Sequence, residues 1–440
     1  MDSNITKKKN AKREYIYRKR IPYGIMNFVT VRRDDCYYVD KTDFIEEIER
    51  SNMYFFYIRP RRFGKSLTLS MLKQYYDINM ADRFEELFGG LYIGENPTPE
   101  HNTYLIISLN FAVVDANLEN YKKGLDAHCN TEFNYFCDVY AQYLPANIKE
   151  EMNRKDGAVE QLDYLCKECK KTGQKVYLFI DEYDHFTNTI LAEPDCLNNY
   201  QAETHGMGYL RKFFDTIKSA TDSTLERVFV TGVSPVTMDD LTSGFNIGTN
   251  YSLSYEFNEM TGFTEEEVRE MLTYYTETLH LHNYTVDELI DLMKPWYDNY
   301  CFAKDSYGET TMYNSNMVLY FIDNYIRNRG RLPENMIEEN IRLDYNKLRM
   351  LIRKDKKFAH DASIIQQLVQ QDYITGELKY AKSKDTDAHI QQLFKEAEVQ
   401  VNRYAQSEVV TSAVKTTQLH KIVVIYRGTE MVVCEEVNNQ

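Results

Sequence analysis

Short apolar runs alternate with longer amphipathic stretches from about residue 54 onwards, a pattern typical of an α/β domain with a parallel sheet. The apolar runs predict strands at Tyr54–Ile58, Tyr104–Asn110, Lys175–Asp181, Arg227–Gly232 and Tyr251–Phe257. The stretches between them predict helices from Ser66 to about Tyr76, from Leu118 to about Tyr143, from Glu150 to Lys171, and around Gly208–Ala220. These connections are long enough for the right-handed crossovers that parallel strands require.

The pattern changes near Thr261, where helical periodicity takes over. Thr264 followed by Glu267 is a capping sequence that opens a helix, and helical patterns continue to about Arg353 with breaks at Pro295 and around Ser306–Gly308. A third segment begins at about residue 354. It predicts a polar helix at Asp387–Ala405 and a hairpin formed by Lys421–Tyr426 and Glu430–Cys434.

Composition places the chain among globular proteins. A length of 440 residues favours two or three domains, and 43% hydrophobic with 27% charged residues is ordinary for such proteins. No apolar window is long enough for a membrane span, and the N-terminus lacks the apolar stretch of a secretory signal. The eight cysteines are scattered, which is typical of reduced thiols. We therefore expect a cytoplasmic protein without a membrane partner.

Two local patterns leave alternatives open. The net charge of −15 excludes a wholly basic nucleic-acid coat, but residues 1–20 are strongly basic and form either a solvated, mobile tail or an arm that contacts phosphates. Cys166 and Cys169 have half of a zinc-site spacing without a second half, so the alternatives are a metal site and two thiols on a helix.

A Gly-Lys-Ser sequence follows the first predicted strand and opens the first predicted helix, which is the context of a phosphate-binding loop. Gly64 permits close approach of the backbone, Lys65 can reach the β- and γ-phosphates of ATP, and the Ser66 hydroxyl can ligate Mg²⁺. Arg59 stands where the full loop pattern has its first glycine. The predicted nucleotide-binding residues are Arg59, Pro60, Arg61, Arg62, Phe63, Gly64, Lys65, Ser66, Leu67 and, from the acidic strand, Asp181.

Two further strands end in polar residues that complete such a site. The third strand delivers Asp181 and Glu182 at its C-terminal edge, where ligands bind in open α/β sheets. Asp181 is expected to hold Mg²⁺ with Ser66, while Glu182 is expected to orient and polarise the attacking water. Thr231, at the end of the fourth strand, is the candidate that reaches the γ-phosphate or the water. The predicted catalytic residues are Glu182, Lys65 and Thr231.

These residues resemble the bacterial AAA-ATPase-like family, whose members often carry a C-terminal nuclease-like domain of the PD-(D/E)XK type. The resemblance runs from about Ile21 to the C-terminus and rests on Ile21–Gly24, Tyr38–Thr42, Arg59–Ser66, Phe179–Asp184, Thr231–Ser234, Gly262–Thr264, Trp296–Tyr300 and Tyr313–Asn314. It implies that Arg59 is the usual form of the loop in this family. It also implies that Asp40, Lys41 and Thr42 lie near the nucleotide. Asn299 and Ser315 depart from the pattern, which has glycine and proline there.

The resemblance and the residues together predict a parallel five-stranded P-loop NTPase sheet sandwiched by helices, followed by a helical, winged-helix-like domain and a small α+β C-terminal remnant. The expected boundaries are a basic flexible arm at 1–20, the P-loop domain at 21–260, a helical lid at 261–353 and a truncated nuclease-like segment at 354–440. In that last segment Glu377 and Lys379 have the spacing of a nuclease metal site. No convincing upstream aspartate accompanies them, so we expect a vestigial site rather than a working nuclease.

The sequence thus favours a Mg²⁺-dependent ATPase that couples hydrolysis to conformational change. A slow nucleotide-dependent switch and an ATPase-coupled DNA nuclease remain as alternatives, while a small-molecule kinase fits the Asp181-Glu182 pair less well. Expected ligands are ATP and Mg²⁺. DNA and a second copy of the chain remain candidate partners, since an arginine acting on the γ-phosphate can come from Arg61, Arg62 or a neighbouring subunit.

Overall fold

The computed structural model describes residues 17–114, 121–185, 208–221, 224–233, 247–298, 300–306, 310–338, 373–381, 385–406, 419–427 and 430–437. Outside the described residues lie most of the basic arm, Asn299 and residues 339–372. Among the described helices, none combines the length and apolar character needed to cross a membrane.

Five parallel strands form the central sheet. They are β1 (Tyr54–Ile58), β2 (Tyr104–Asn110), β3 (Lys175–Asp181), β4 (Leu225–Gly232) and β5 (Thr249–Asn250), in the spatial order β2-β3-β4-β1-β5. The first three match the predicted bounds, and β4 begins slightly earlier than expected. Because the strands are parallel, their C-terminal ends share one edge, and β1, β3 and β4 bring the loop, Asp181 and Thr231 to that edge.

The predicted fifth strand is wrong. Only Thr249 and Asn250 pair with β1, and Tyr255–Phe257 forms a 3₁₀ turn instead of extended chain. The physical reason is that side chains take over the hydrogen bonds there. The Ile58 N–H donates to the Ser252 hydroxyl at 2.7 Å, and the carbonyls of Ser252 and Phe257 accept from the Arg59 side chain.

Helices cover both faces of the sheet, because alternate strand side chains point to opposite sides. Phe55 and Tyr57 face one apolar core and Phe56 and Ile58 face the other. The first core is covered by α1 (Phe28–Arg33), α2 (Phe44–Arg50), α3 (Lys65–Tyr76), α4 (Phe84–Phe88) and α5 (Tyr92–Glu95). The second is covered by α6 (Tyr121–Val139), α7 (Ile148–Asn153), α8 (Gly157–Lys171) and α9 (Tyr209–Thr221).

Two predicted helices of this layer need correction. The stretch from Glu150 to Lys171 is not one helix, because the chain leaves the helical conformation between α7 and α8. The helix expected to reach Tyr143 ends at Val139, and its expected start lies outside the described residues. Cys166 and Cys169 both lie on α8 and are buried in the apolar core, and burial raises the pKa of both thiols. Within the described part of the chain, no three or more His, Cys, Asp or Glu side chains are grouped so that they could hold a metal ion.

In the described residues that follow the sheet, a separate core that includes Ile21 is shared by three helices: α10 (Glu265–Thr278), α11 (Val286–Tyr297) and α12 (Ser315–Arg327). Thr264 forms the predicted capping box with Glu267, and Thr285 forms a second one with Glu288. The predicted break at Pro295 is wrong, since α11 includes it in its last turn, where a missing N–H costs a single helical bond. The winged-helix-like character stays a prediction.

The C-terminal residues form a small mixed sheet. β6 (Tyr373–Ala381) pairs in parallel with β7 (Leu419–Arg427), which pairs antiparallel with β8 (Glu430–Glu436), and α13 (Asp387–Ala405) packs on β6 and β7. The predicted polar helix and hairpin are therefore confirmed. The parallel pairing of β6 and β7 follows from the helix between them, because such strands need a crossover connection.

Candidate nucleotide-binding site

The predicted phosphate loop runs from the end of β1 to the start of α3. Gly64 immediately precedes α3 and has φ +89°, a left-handed conformation that a residue with a side chain adopts only with strain. No side chain caps this end of α3. The first N–H groups of a twelve-residue helix are thus left to a ligand, and the helix dipole favours an anion there.

Lys65, the first residue of α3, curls back over the loop. Its Nζ donates to the carbonyls of Arg59 at 2.9 Å and Pro60 at 3.0 Å, and the residue is only 6% exposed. Burial lowers the pKa of the ammonium, while the carboxylates of Glu182 and Asp181 oppose this shift. A desolvated cation held by two neutral carbonyls is well placed to exchange them for phosphate oxygens.

Ser66 meets the acidic strand directly. Its hydroxyl donates to Asp181 Oδ2 at 3.2 Å, and Asp181 Oδ1 accepts from the Glu182 N–H at 2.9 Å. Asp181 is 7% exposed, and burial raises the pKa of its carboxyl. A hydroxyl and a carboxylate in contact are the oxygen donors that Mg²⁺ prefers in phosphate sites.

Glu182 lies one residue beyond β3, with φ +52°, which is rare for a residue with a side chain. Burial raises the pKa of its carboxyl, with Lys65 opposing and Asp181 and Asp184 reinforcing the shift. A raised pKa at a strained position is a common property of carboxylates that handle protons.

Thr231 is fully buried near the end of β4, and its Oγ1 has no hydrogen-bond partner among the described residues. It lies on the same sheet face as Phe229, and α3 covers that face. Asp181 and Phe179 of β3 lie on this face too. A buried hydroxyl without a partner costs stability, so its presence here fits a group that bonds a ligand.

The Arg59 side chain makes structural contacts within the protein. The residue is 1% exposed, and its guanidinium donates to the carbonyls of Ser252 and Phe257. It is also stacked 4.2 Å from the Tyr57 ring centroid and 4.0 Å from that of Phe302. The Arg59 carbonyl accepts from Lys65, and a role for Arg59 in nucleotide binding stays a prediction.

The rest of the loop is held by the segment that carries α10 to α12. The Arg62 carbonyl accepts from the Ser315 hydroxyl and the Asn316 N–H, both at 3.2 Å, and its guanidinium pairs with Glu338 at 2.7 Å. Phe63 is fully buried, and its carbonyl accepts from the Gly262 N–H at 3.0 Å. We call these contacts the loop clamp. Ser315, which departs from the family pattern, is therefore part of the site's support.

The N-terminal residues that the resemblance placed near the nucleotide make other contacts. Asp40 accepts from the Thr42 hydroxyl at 2.7 Å and from the Tyr92 N–H at 2.7 Å. Lys41 forms an ion pair with Glu267 on α10. These contacts fix the N-terminal segment against α5 and α10, and the proximity of Asp40, Lys41 and Thr42 to a nucleotide stays a prediction.

The candidate nuclease residues lie on β6, where Glu377 is opposite Val423 and Lys379 is opposite Ile425 of β7. Positions two apart on a strand share a face. The two aspartates nearest upstream in the sequence, Asp361 and Asp372, lie outside the described residues. A metal site at Glu377 and Lys379 stays a prediction.

Sequence reasoning missed two sets of supporting residues. The loop clamp was hidden because Ser315, Asn316 and Glu338 are far from the loop in sequence. The available signal was the cap that Asn314, the residue before Ser315, provides for α12. Asp184 was quoted within a motif but given no role. It is fully buried, and its carboxylate accepts from the Val233 N–H at 3.1 Å.

Comparison with known proteins agrees with this geometry. A family model described as "Predicted AAA-ATPase" matches residues 22–242, which is half of the chain and includes the loop, Asp181, Glu182 and Thr231. An uncharacterized protein encoded in the vnfD 5′ region of Azotobacter chroococcum mcd 1 is 29% identical over 256 residues. That match covers 57% of this chain and 44% of the relative, so the chain spans less than half of the relative's length.

A solved structure, Cdc6p from Pyrobaculum aerophilum, is 12% identical, with a TM-score of 0.32 over 72% of this chain and 65% of that one. So low a TM-score supports no inference, and the assignment rests on the family match and on the parallel sheet that presents the loop. The chain belongs to the AAA-ATPase-like family of predicted ATPases.

Proposed function

We propose that this protein binds ATP with Mg²⁺ and hydrolyses it, and that the helical segment responds to the nucleotide through the loop clamp. The contact between Ser66 and Asp181 carries this proposal, because it brings a hydroxyl and a carboxylate together beside the free N-terminus of α3. These two side chains would hold Mg²⁺, which would supply positive charge to the phosphate oxygens.

The chain's own groups have distinct roles in this proposal. The N–H groups at the start of α3 and the Lys65 ammonium bind the phosphates, which requires Lys65 to leave the carbonyls of Arg59 and Pro60. Glu182 orients the attacking water and accepts its proton as the bond between the γ-phosphorus and the bridging oxygen breaks and ADP departs. Thr231 bonds the γ-phosphate or the water through its partnerless hydroxyl.

Arg61 is the loop arginine best suited to act on the γ-phosphate. Arg62 is held by Glu338 on the helical side, whereas the charge of Arg61 acts on both Lys65 and Glu182. An arginine from a second copy of the chain is the alternative source, and it would make a homo-oligomer the active form.

The loop clamp supports coupling between hydrolysis and conformational change. Three successive loop carbonyls, those of Arg61, Arg62 and Phe63, accept hydrogen bonds from the helical segment. A shift of the loop on phosphate binding or release therefore changes contacts with α12 directly. The proposed partner on which this conformational change acts is DNA, because the basic arm at the N-terminus can contact phosphates.

The test measures ATP affinity and steady-state phosphate release with Mg²⁺, with and without duplex DNA, for the wild type and Lys65→Ala. We expect the variant to bind ATP much more weakly and to lose about 100-fold or more in kcat/KM. Stimulation of the wild type by DNA would identify DNA as a partner. Tight ATP binding with negligible turnover would instead favour a slow switch, and no binding would refute the proposal.

A further inference from the structure

Two hydrogen bonds join the turn that follows β3 to the end of β4. The Tyr183 N–H donates to the Thr231 carbonyl at 3.1 Å, and the Asp184 carboxylate accepts from the Val233 N–H at 3.1 Å. Asp184 and Tyr183 are both fully buried. The two bonds enclose Gly232 and join the residues just after Glu182 to the strand end that carries Thr231.

The turn after β3 and the end of β4 can approach each other this closely because Gly232 has no side chain. A Cβ there would collide with Asp184 Oδ1 and lie 2.5 Å from the Tyr183 ring. Real Cβ atoms are essentially never that close to other heavy atoms, so even an alanine would push the turn away from β4. Glycine at position 232 therefore leaves the space that the Asp184 carboxylate occupies.

We infer that Asp184 is a positioning residue for hydrolysis, which holds the Glu182 carboxylate and the Thr231 hydroxyl in a fixed mutual arrangement across the γ-phosphate position. Asp184 itself touches no reacting group. It acts because Glu182 has a strained backbone, φ +52°, that only surrounding contacts maintain. Without the bond to Val233 the turn relaxes, and the water and the γ-phosphate lose their common alignment.

The charge of Asp184 supports this role. It acts on both Lys65 and Glu182, raising the pKa of each, although burial is the larger effect on both groups. Asp184 is therefore coupled by its charge to two groups of the proposed site, in addition to its hydrogen bond with Val233.

This inference rests on the proposed ATPase activity and predicts a specific kinetic pattern. Asp184→Ala removes the bond to Val233, and Gly232→Ala displaces the turn while keeping the carboxylate. Both are expected to lower kcat about tenfold or more while KM and ATP affinity stay within about twofold, because the misalignment affects the transition state and not binding. Asp184→Asn retains an acceptor for Val233 and is expected to restore most of kcat.

The control is Asp163→Asn, which removes a carboxylate paired with Lys167 on the surface of α8 and should leave all constants unchanged. Thermal melts verify that each variant is folded, and if Asp184→Ala does not fold, Gly232→Ala and Asp184→Asn decide. Wild-type kcat in Gly232→Ala, or a loss of ATP affinity that matches the loss of kcat, would overturn the inference alone. A wild type without turnover would overturn the proposed function and, with it, this inference.

Discussion

The Ser66 hydroxyl donates to Asp181 Oδ2 at 3.2 Å and so connects the first turn of α3 with the last residue of β3. The two residues are far apart in the chain but become neighbours because β1 and β3 end at the same edge of a parallel sheet. The contact holds the two expected Mg²⁺ ligands together without the ion. The site is therefore preorganised, and such preorganisation has a cost that can be measured in stability.

Asp181→Asn is expected to stabilise the ligand-free protein at neutral pH. Since burial raises the folded-state pKa of Asp181, its contribution is fully present below the pKa of an unfolded carboxyl, about 4, and is lost as pH rises through the raised folded pKa. Asparagine cannot ionise, so the variant avoids the free-energy cost of a buried negative charge at position 181. Chemical denaturation should show a higher free energy of unfolding for the variant at pH 7.5 and none of this gain near pH 4.

Asp163→Asn is the control for that measurement, because its carboxylate is in a surface ion pair that contributes little to stability. If Asp181→Asn were instead less stable than the wild type at pH 7.5, Asp181 would have a structural role. That result would contradict the interpretation that Asp181 destabilises the protein until a metal ion binds to it.

Thr231→Val is expected to raise stability and to lower activity. The substitution keeps the shape of the side chain but removes a buried hydroxyl that has no described partner, which should raise the free energy of unfolding by about 1 kcal/mol. If the hydroxyl bonds the γ-phosphate or the water, kcat should fall about tenfold or more. A loss of stability, or an unchanged kcat, would mean that Thr231 only packs.

Arg59→Gly restores the first glycine of the general loop pattern, yet we expect it to damage this protein. It removes a guanidinium stacked between Tyr57 and Phe302, leaves the carbonyls of Ser252 and Phe257 without their donor, and opens a cavity. The free energy of unfolding should fall by about 3 kcal/mol or more in urea denaturation. Arg59→Lys should also destabilise, because lysine cannot reproduce the planar donors. Wild-type stability of the glycine variant would refute the structural role of Arg59.

Glu338→Gln tests the loop clamp. It removes the charge that holds the Arg62 guanidinium at 2.7 Å, and since both groups are partly exposed the pair contributes about 1 kcal/mol or less. We expect a measurable change in the KM for ATP, about fivefold at most, together with faster proteolysis near α12. An unchanged KM and an unchanged digestion pattern would mean that the helical segment does not sense the loop. Arg154→Gln is the matched control, since Arg154, the residue just after α7, forms a surface ion pair with Glu150.

Most of the sheet, and the elements that carry the candidate site residues, could be predicted because their signals are local. The strand ending in Asp181 and Glu182 is a continuous apolar run, and Gly64, Lys65 and Ser66 lie where a strand gives way to a helix. Thr264 and Glu267 form a cap that spans a single helical turn. Such patterns need no knowledge of distant contacts.

The errors occur where distant side chains replace local backbone bonding. The strand expected at Tyr251–Phe257 is a turn because Arg59 takes the carbonyls that a ladder would use, and no local pattern shows this. The same cause hid the structural role of Arg59. The sequence also showed no sign that Ser315 contacts the loop, because the contact between α12 and the loop exists only in the tertiary fold.

The most direct test of the account is the identity of the nucleotide that remains bound to Glu182→Gln after incubation with Mg²⁺ and ATP. If Glu182 accepts the proton of the attacking water, the variant should bind ATP like the wild type and retain it unhydrolysed, with turnover reduced about 100-fold or more. The wild type should retain ADP or release it. Conversion of ATP to ADP by the variant at the wild-type rate would contradict the assignment of Glu182, and with it the mechanism proposed for this site.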